Sequence, residues 1–358
     1  MRASLIASFI AALCVPALLT SPLRAEAALR EEAKKLFEPI PATPPVFADD
    51  PATPEKLALG KMLFFEPRLA EGRDLSCATC HNISLGGVDG GAISGGHNAQ
   101  LAGREVQTVL NAVFNKSQYW DGRATGLKDQ VVNSVMANPK AMLKTRGGPM
   151  AINPAELAAT KQHAIAELKQ MPEYVEAFKK AFPYSSDPLV YDNVGRAIAL
   201  FEASLITPDA PFDRWLTGDD AALTDVQKAG LALFIGKGCA SCHNGVNIGG
   251  GAYAKFGVVA SPPAEYLPAD DLGRYSVTKN IADKYAFKIP SLRNVELTAP
   301  YFHNGATFDL SKAVAVMGET QLGVRLSDEE KDRIVAFLKS LTGTQPQIVL
   351  PILPARSH

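Results

Sequence analysis

Two short runs with the same spacing of cysteine and histidine carry the clearest chemical signal in this chain. In each run two cysteines are separated by two residues, and a histidine follows the second cysteine directly. Two cysteines one helical turn apart can each bond a vinyl group of a haem, and the adjacent histidine can then reach the iron. The runs therefore predict two covalently bound haem c groups. Their residues are Cys77, Cys80 and His81 in the first run, and Cys239, Cys242 and His243 in the second.

A Cys-x-x-Cys pair can also hold zinc or form a redox disulfide. A zinc site would gather four cysteines, whereas these two pairs lie far apart in the sequence and each is followed by histidine. A thioredoxin-like disulfide would lie in a βαβ pattern, which the sequence lacks. The chain has five cysteines, and the fifth, Cys14, lies in an N-terminal segment that we expect to be removed. The haem interpretation is therefore favoured, and no cysteine is left for an ordinary disulfide.

Each iron also needs a sixth ligand or an open position, and few residues could supply it. His97 follows a glycine-rich run, and a histidine on a mobile loop can act as a detachable ligand. His303 is a further candidate, whereas His163 on a predicted exposed helix and the terminal His358 are expected to be solvated. Methionine is the soft ligand that raises the potential of a haem iron. Met317 could fill that role, although its spacing on a short apolar helix, taken alone, fits a core residue better than a ligand.

The N-terminus has the pattern of a secretory signal over residues 1–25. Arg2 supplies the positive charge, Leu5 to Leu19 is mostly apolar, and small residues near Ala25 offer a cleavage site. A retained anchor is the alternative. Export agrees with haem attachment outside the cytoplasm, so we expect a periplasmic protein. The net charge is −1 and no basic run is present, which speaks against a nucleic-acid partner, and no membrane span is expected in the mature form.

The elements that would position these residues are mainly helical. Helix starts are predicted at Thr53 before a proline, and at Thr224 and Ser327, which open capping boxes. We expect Gly343 to stop the last of these helices. Apolar residues over 190–205 recur at helical spacing, whereas strand-like alternation is scarce. The fold class is therefore mainly α, with long glycine-rich loops.

An internal repeat predicts two cytochrome c-like haem domains related by duplication. We place a peroxidatic N-terminal haem domain at 26–206 and an electron-transfer haem domain at 207–344, and the tail 345–358 could pack on the first domain. The runs that correspond are 60–64 with 230–234, 108–111 with 291–294, and 119–122 with 301–305.

Several longer runs resemble one known family, the bacterial di-haem cytochrome c peroxidases, which share a superfamily with MauG. The resemblance extends over essentially the whole mature length and is stronger in the second half. It is far more specific than either haem motif alone. The runs that carry it are 63–69, 114–124, 171–175, 242–245 and 298–303.

The resemblance implies unequal roles for the two haems. The first would be the low-potential, peroxidatic haem, with His81 as proximal ligand and His97 as the distal ligand that leaves on activation. The second would be the high-potential haem where electrons enter, with His243 and Met317 as its axial pair. Trp120 matches the tryptophan that lies between the haems in this family, although a packing role at the domain interface would explain it too.

The family also uses a glutamate in an Asn-Pro-x-Glu-Met type motif to move a proton during peroxide cleavage. Two stretches match it, 138–142 and 153–157, but the first has Ala141 in place of the carboxylate. The second keeps Glu156, and its distance from the run at 171–175 fits the family. We therefore assign Glu156, which implies an insertion between it and Gln130. Gln130 matches a glutamine near the peroxidatic pocket.

A calcium ion lies between the haem domains in this family. Thr298 and Pro300 match the carbonyl ligands, and Glu105 replaces the family's asparagine. Glutamate is a competent hard-oxygen ligand, so bound Ca²⁺ is expected. A salt bridge between Glu105 and Arg104 or another base is the alternative. Dimers are common in the family, so a homodimer is expected.

The expected activity is cytochrome-c peroxidase, the reduction of hydrogen peroxide to water with electrons from a small cytochrome c or cupredoxin. One alternative is a MauG-like enzyme that uses peroxide to oxidise a partner protein. That relative has tyrosine where the methionine ligand is expected, so Met317 argues against it. The other alternative is a di-haem electron carrier without catalysis, against which Glu156 and the loop residue His97 speak.

Overall fold

A computed structural model describes residues 22–47, 49–95, 103–133 and 154–356, and helices dominate in this part of the chain. The prediction of a mainly α fold is therefore confirmed. His97 and His358 lie outside the described residues, as do residues 1–21 of the expected signal and the inserted loop before Glu156. The helices are α1 (Pro22–Leu36), α2 (Pro54–Phe64), α3 (Cys77–Cys80), α4 (Leu127–Val132), α5 (Pro154–Lys169), α6 (Pro172–Ala181), α7 (Tyr191–Ala203), α8 (Pro211–Thr217), α9 (Asp225–Gly236), α10 (Tyr275–Thr278), α11 (Leu310–Met317) and α12 (Asp328–Lys339).

Strands are few in the same described ranges. β1 (Tyr253–Lys255) and β2 (Ala286–Lys288) pair antiparallel, with Tyr253 opposite Lys288. Short 3₁₀ turns and loops make up the remainder, several of them with glycine in the left-handed region. Among the described helices, none has both the length and the apolar character needed to cross a membrane.

Three helix starts follow the predicted capping chemistry. Thr53 Oγ1 accepts a hydrogen bond from Lys56 N, at 3.3 Å, at the start of α2. Reciprocal capping boxes open α9, at Thr224, and α12, at Ser327. Each cap satisfies backbone donors that the first helical turn leaves free, which is why these starts could be read from local sequence.

Gly343 does not stop the last helix, so that prediction was wrong. α12 ends at Lys339, four residues earlier, and Ser340 caps it in an ordinary helical conformation. A Cβ at position 343 would lie 2.0 Å from the carbonyl oxygen of Thr207. Gly343 is therefore needed for a close approach of the C-terminal tail to the middle of the chain, which no local pattern signals.

Two large apolar clusters divide the described residues. The first gathers α2, α5, α6 and α7, and the second gathers α1, α8, α9 and α12. Each end of the chain packs on the cluster formed by the opposite half of the sequence. Phe37, after α1, packs in the second cluster, whereas Ile348 of the tail packs against the first. Arg356 also pairs with Glu167 of α5 at 2.9 Å. The domain boundaries stay a prediction. We call the first apolar cluster and the chain from Pro54 to Ile206 the first unit, and the second cluster and the chain after Thr207 the second unit. The N-terminal segment packs with the second unit rather than the first.

Each cluster is organised around a helix pair that touches through glycine. Gly60 brings α2 against α7, and a Cβ there would lie 1.9 Å from Ala197 O. Gly230 brings α9 against α12 in the same way, with Arg333 O at 1.9 Å from such a Cβ. Only a residue without a side chain permits backbones this close. The two glycines belong to the repeated runs 60–64 and 230–234, although the duplication itself remains a prediction.

Thr207 joins the two units through buried side-chain hydrogen bonds. Its hydroxyl accepts from the Nδ2 amides of Asn111, at 2.7 Å, and Asn294, at 2.9 Å. Its own backbone N–H donates to Asn111 Oδ1 at 2.8 Å. Asn111 and Asn294 end the corresponding runs 108–111 and 291–294, and both have a left-handed backbone. The two repeated runs thus meet at one residue.

We predict that Gly230→Ala destabilises the protein by about 1–3 kcal/mol, because the new methyl group must push α9 away from Arg333. The measurement is guanidinium unfolding of the full haem-loaded chain, followed by circular dichroism. Gly236→Ala on the same helix is the control. Nothing lies within 4 Å of a Cβ at that position, so its effect should stay within about 1 kcal/mol and can be stabilising. Equal free energies of unfolding for the two variants would contradict the packing argument.

Candidate active site

The first cysteine–histidine run folds as one tight helical turn. Thr79 Oγ1 accepts from Ser76 N at 2.9 Å and fixes the start of α3. His81 closes the turn, because its backbone N–H donates to Cys77 O at 2.9 Å. Its ring Nδ1 lies 3.4 Å from Gly87 O. The carbonyl orients the imidazole and leaves Nε2 available, which is the arrangement of a histidine that binds a metal.

The second run reaches the same arrangement from a different turn. Gly238, in the left-handed region, leads from α9 into a 3₁₀ turn over Cys239–Ser241. His243 N donates to Cys239 O at 3.0 Å, and its ring Nδ1 lies 3.3 Å from Ile248 O. Burial lowers the pKa of His243 to about 4, so its imidazole is neutral at pH 7, as an iron ligand must be.

Each run therefore provides two thiols one turn apart and an oriented neutral imidazole, which fits haem c. Burial also lowers the pKa of His81. Within the described ranges, no cluster of three or more His, Cys, Asp or Glu side chains could hold a single metal ion. The donor set of each run thus fits a haem better than a bare metal.

A cavity of about 420 Å³ adjoins the second run. Cys239, Cys242 and His243 line it, together with many apolar side chains. Met317, the last residue of α11, lines the same cavity, and the chain continues there as a π-helical turn over Gly318–Leu322. Such turns are frequent at functional sites. The fold therefore brings the expected axial pair, His243 and Met317, to one cavity.

Trp120 lies where the two units meet. Its Nε1–H donates to Glu105 O at 3.0 Å, and its ring faces His303 edge-on at 6.2 Å between centroids. Its carbonyl accepts from Lys288 N at 2.7 Å, which ties it to β2 of the second unit. Trp120 also lines the cavity. The packing role and a role between the two haem sites are thus compatible.

The expected peroxidatic residues Gln130 and Glu156 are carried by helices α4 and α5. Both helices pack against α7, so one helix supports both side chains. Glu156 is half-buried in the first turn of α5. Gln130 Oε1 is enclosed and accepts no hydrogen bond from the residues that the structure describes.

Glu105, Thr298 and Pro300 all line the cavity. Glu105 is buried, and burial, then the charge of Asp89, raises its pKa well above the ordinary value. The alternative pairing with Arg104 is not seen, because Arg104 binds Asp121 at 2.8 Å and Asp271 at 2.6 Å instead. A buried carboxyl without a cation among the described residues fits a bound metal ion.

The two remaining described histidines, His303 and His163, lie in enclosed surroundings. His303 is fully buried, stacks on Phe287 with 4.2 Å between ring centroids and lies 3.5 Å from Asp271. Burial lowers its pKa to about 4. His163, which we expected to be solvated, is half-buried on α5, with its Nε2 enclosed. That expectation was wrong because position 163 adjoins the buried residues Thr160, Ala164 and Glu167 on α5.

Sequence reasoning also missed Lys288, a buried cation that lines the cavity. The available signal was a charge in the apolar stretch between Phe287 and Ile289. Asp271, which pairs with Arg104 across the two units, was missed as well. It lies in a loop without any recognisable motif.

Comparisons with known proteins cover nearly the whole chain. Residues 54–221 match the family model described as di-haem cytochrome c peroxidase, and residues 227–342 match the cytochrome c model. The chain is 46% identical to the cytochrome c551 peroxidase of Pseudomonas aeruginosa over 94% of this chain and 93% of that protein.

Two further similarities are informative. The methylamine utilization protein MauG of Methylorubrum extorquens is 35% identical over 85% of this chain and 83% of its own. The crystal structure of a MauG-like protein associated with microbial copper homeostasis superposes with a TM-score of 0.70. It is 25% identical and covers 85% of this chain and 93% of that one.

Proposed function

The chain belongs to the di-haem cytochrome c peroxidase family, and from this premise we propose that it reduces hydrogen peroxide to water with electrons from a small cytochrome c or cupredoxin. The relatives support an enzyme of the cytochrome-c peroxidase type that carries haem c. When bound, the haems supply the redox-active iron that takes up electrons and binds peroxide. The observation that carries the proposal is that His243 and Met317, the expected axial pair of an electron-entry haem, line one cavity at the second run.

The residues proposed to hold the haems are supported by their local geometry. In each run the histidine ring is fixed by a backbone carbonyl on its Nδ1 side, which leaves Nε2 for the iron. Met317 shares the cavity of the second site. His97 is proposed as the detachable ligand of the first site. The attachment residues are Cys77, Cys80 and His81, and Cys239, Cys242 and His243.

Glu156 is proposed as the group that moves a proton between the two oxygens of peroxide. A carboxylate can take the proton from one oxygen and return it to the other by general acid–base transfer. The half-buried position of Glu156 at the start of α5, on the scaffold of α7, supports this role. Gln130, whose Oε1 is enclosed without a donor from the described residues, is proposed to help bind the substrate.

Trp120 is proposed to carry electrons between the two units. An aromatic ring at the interface, hydrogen-bonded on one side to Glu105 O and in edge contact with His303 on the other, is well fixed. A rigid ring keeps the distances for electron transfer between the two sites constant. The same contacts also stabilise the interface.

Calcium is proposed between the units, with Glu105 as its side-chain ligand and Thr298 and Pro300 as carbonyl ligands. The three residues line one cavity. A buried carboxylate is costly unless a cation compensates it. Ca²⁺ takes carboxylate and carbonyl oxygens together, so it matches this set.

The location and assembly are also proposals. The N-terminal pattern over residues 1–25 supports export to the periplasm, where a small redox protein could reach the enzyme. A homodimer is proposed by resemblance to the family.

A MauG-like oxidation of a partner protein is the second candidate, because MauG is among the relatives. MauG is expected to have tyrosine in place of the methionine ligand, so Met317, which lines the cavity here, favours the peroxidase. Steady-state oxidation of reduced cytochrome c by peroxide, with and without pre-reduction, separates the two and also a simple electron carrier.

We predict that Glu156→Gln keeps both haems and lowers turnover by at least about 100-fold, because the amide cannot move the proton. Turnover is measured as oxidation of reduced cytochrome c, and haem content by absorbance. Glu173→Gln, at an exposed position on the neighbouring α6, is the control and should retain activity. Near-normal turnover of Glu156→Gln would remove Glu156 from the mechanism.

We predict that Trp120→Phe lowers turnover by about tenfold, or 1.4 kcal/mol in the barrier, because the ring loses its bond to Glu105 O. Trp215→Phe is the matched control. Trp215 is buried in the second cluster and donates to Glu26 Oε1 at 2.9 Å. Its loss should reduce the free energy of unfolding by about 1–3 kcal/mol and leave turnover unchanged. Equal turnover in both variants would contradict the role of Trp120.

We predict that Glu105→Gln weakens Ca²⁺ binding by about tenfold or more, because a charged oxygen ligand is lost. The measurement is calorimetric titration of the haem-loaded protein with Ca²⁺ after chelation. Glu265→Gln, whose side chain is 64% exposed, is the control. If the wild-type protein binds no Ca²⁺, or if Glu105→Gln binds it equally well, this site is wrong.

A further inference from the structure

Lys288 is a charged residue in an otherwise apolar part of the cavity at the second haem run. It ends β2 and is only 2% exposed. Its backbone N–H donates to Trp120 O at 2.7 Å, which fixes the strand end against the first unit. Lys288 lines the same cavity as Cys239 and His243. The charge is therefore held beside the space that a haem would fill.

No partner for this charge is found among the described residues. Among the residues that the structure describes, no carboxylate lies within 4.0 Å of Lys288 Nζ, whereas the buried Arg104 and Arg293 each bind aspartate. Asp121 is the acid whose charge reaches Lys288, but its oxygens bind Arg104 at 2.8 Å and Arg123 at 2.9 Å. Burial lowers the pKa of Lys288 to about 7, although Asp121 partly opposes this. A buried lysine of this kind is costly without a counter-charge.

The neighbouring cations are already satisfied. Lys237 also lines the cavity, but it pairs with Glu330 at 2.6 Å and is 31% exposed. Arg104 binds two aspartates, and the buried Arg293 binds Asp213 at 2.6 Å. Lys288 is thus the buried cation of this cavity that still needs an anion, within the described part of the chain.

We propose that Lys288 binds a propionate carboxylate of the haem attached to Cys239 and Cys242. Haem c bonds the protein through its vinyl carbons and its iron, and its only anionic groups are the two propionates. A desolvated ammonium and carboxylate form a strong charge-assisted hydrogen bond. The inference rests on the haem that the proposed function requires, but not on peroxide turnover.

The pair has a consequence for the iron. A fixed positive charge beside the haem offsets the propionate charge and favours the form with one more electron. Lys288 should therefore raise the reduction potential of the second haem, in the direction expected for an electron-entry site. The backbone bond between Lys288 and Trp120 also places this charge next to the contact between the units.

The first test is a crystal structure of the full chain with both haems. We expect Lys288 Nζ within hydrogen-bond distance of a propionate oxygen of the haem that is covalently attached to Cys239 and Cys242. Covalent attachment makes the assignment of the haem unambiguous. A Lys288 Nζ that contacts only water, protein or the other haem would overturn the proposal.

The second test measures reduction potentials by spectroelectrochemical titration at pH 7. Lys288→Met should lower the equilibrium constant for reduction of the second haem about tenfold, which is about 59 mV for one electron. Lys288→Arg should stay within about twofold of the wild type. Lys237→Met is the control, and its effect should be small because that charge is partly exposed and paired.

The outcomes separate this proposal from the proposed function. The reduction wave of the second haem is identified as the one that disappears in the double variant Cys239→Ala/Cys242→Ala. Equal potentials for Lys288→Met and Lys237→Met would overturn the proposal even in an active peroxidase. A chain that holds both haems, shows the expected shift and lacks peroxidase activity would contradict the proposed function and support the propionate pair. If Lys288→Met takes up too little haem, Lys288→Arg and the crystal structure still decide.

Discussion

The hydrogen bonds that meet at Thr207 fix the relation between the two halves of the molecule. One buried hydroxyl accepts from Asn111 and Asn294, so both amides lose a partner if this residue moves. Burying an amide without a partner is expensive, so the arrangement is strongly specified. Gly343 then allows the C-terminal tail to lie directly on Thr207. Thr207 thus contacts both repeated runs and the C-terminal tail.

The contact between Trp120 and His303 depends on this junction. Asn111 and Asn294 each precede a loop of the same geometry, with Tyr119 and Phe302 both in the left-handed region, and these loops bring Trp120 and His303 together. Because Trp120, Glu105 and the second unit share the walls of one cavity, the second site is incomplete without the first unit. Buried charge pairs such as Arg104 with Asp271 add a further requirement for correct alignment.

The helix starts were predicted correctly because they depend on interactions between residues close together in the sequence. The capping residues Thr53, Thr224 and Ser327 satisfy donors within three positions of themselves, so their helices could be placed in advance. Gly343 was misjudged for the opposite reason. The carbonyl of Thr207, which approaches it, comes from a distant part of the chain, and neither spacing nor composition reports that contact.

The sequence by itself determined the mainly helical fold and the family, and it predicted the haem attachment residues, because covalent haem binding requires fixed residue types at fixed spacing. Only the tertiary structure decided that His243 and Met317 share a cavity and that Arg104 pairs with aspartates rather than with Glu105. It alone also showed that Lys288 is buried without a partner among the described residues. These properties depend on which distant groups exclude water from one another, and that is set by packing across the two units.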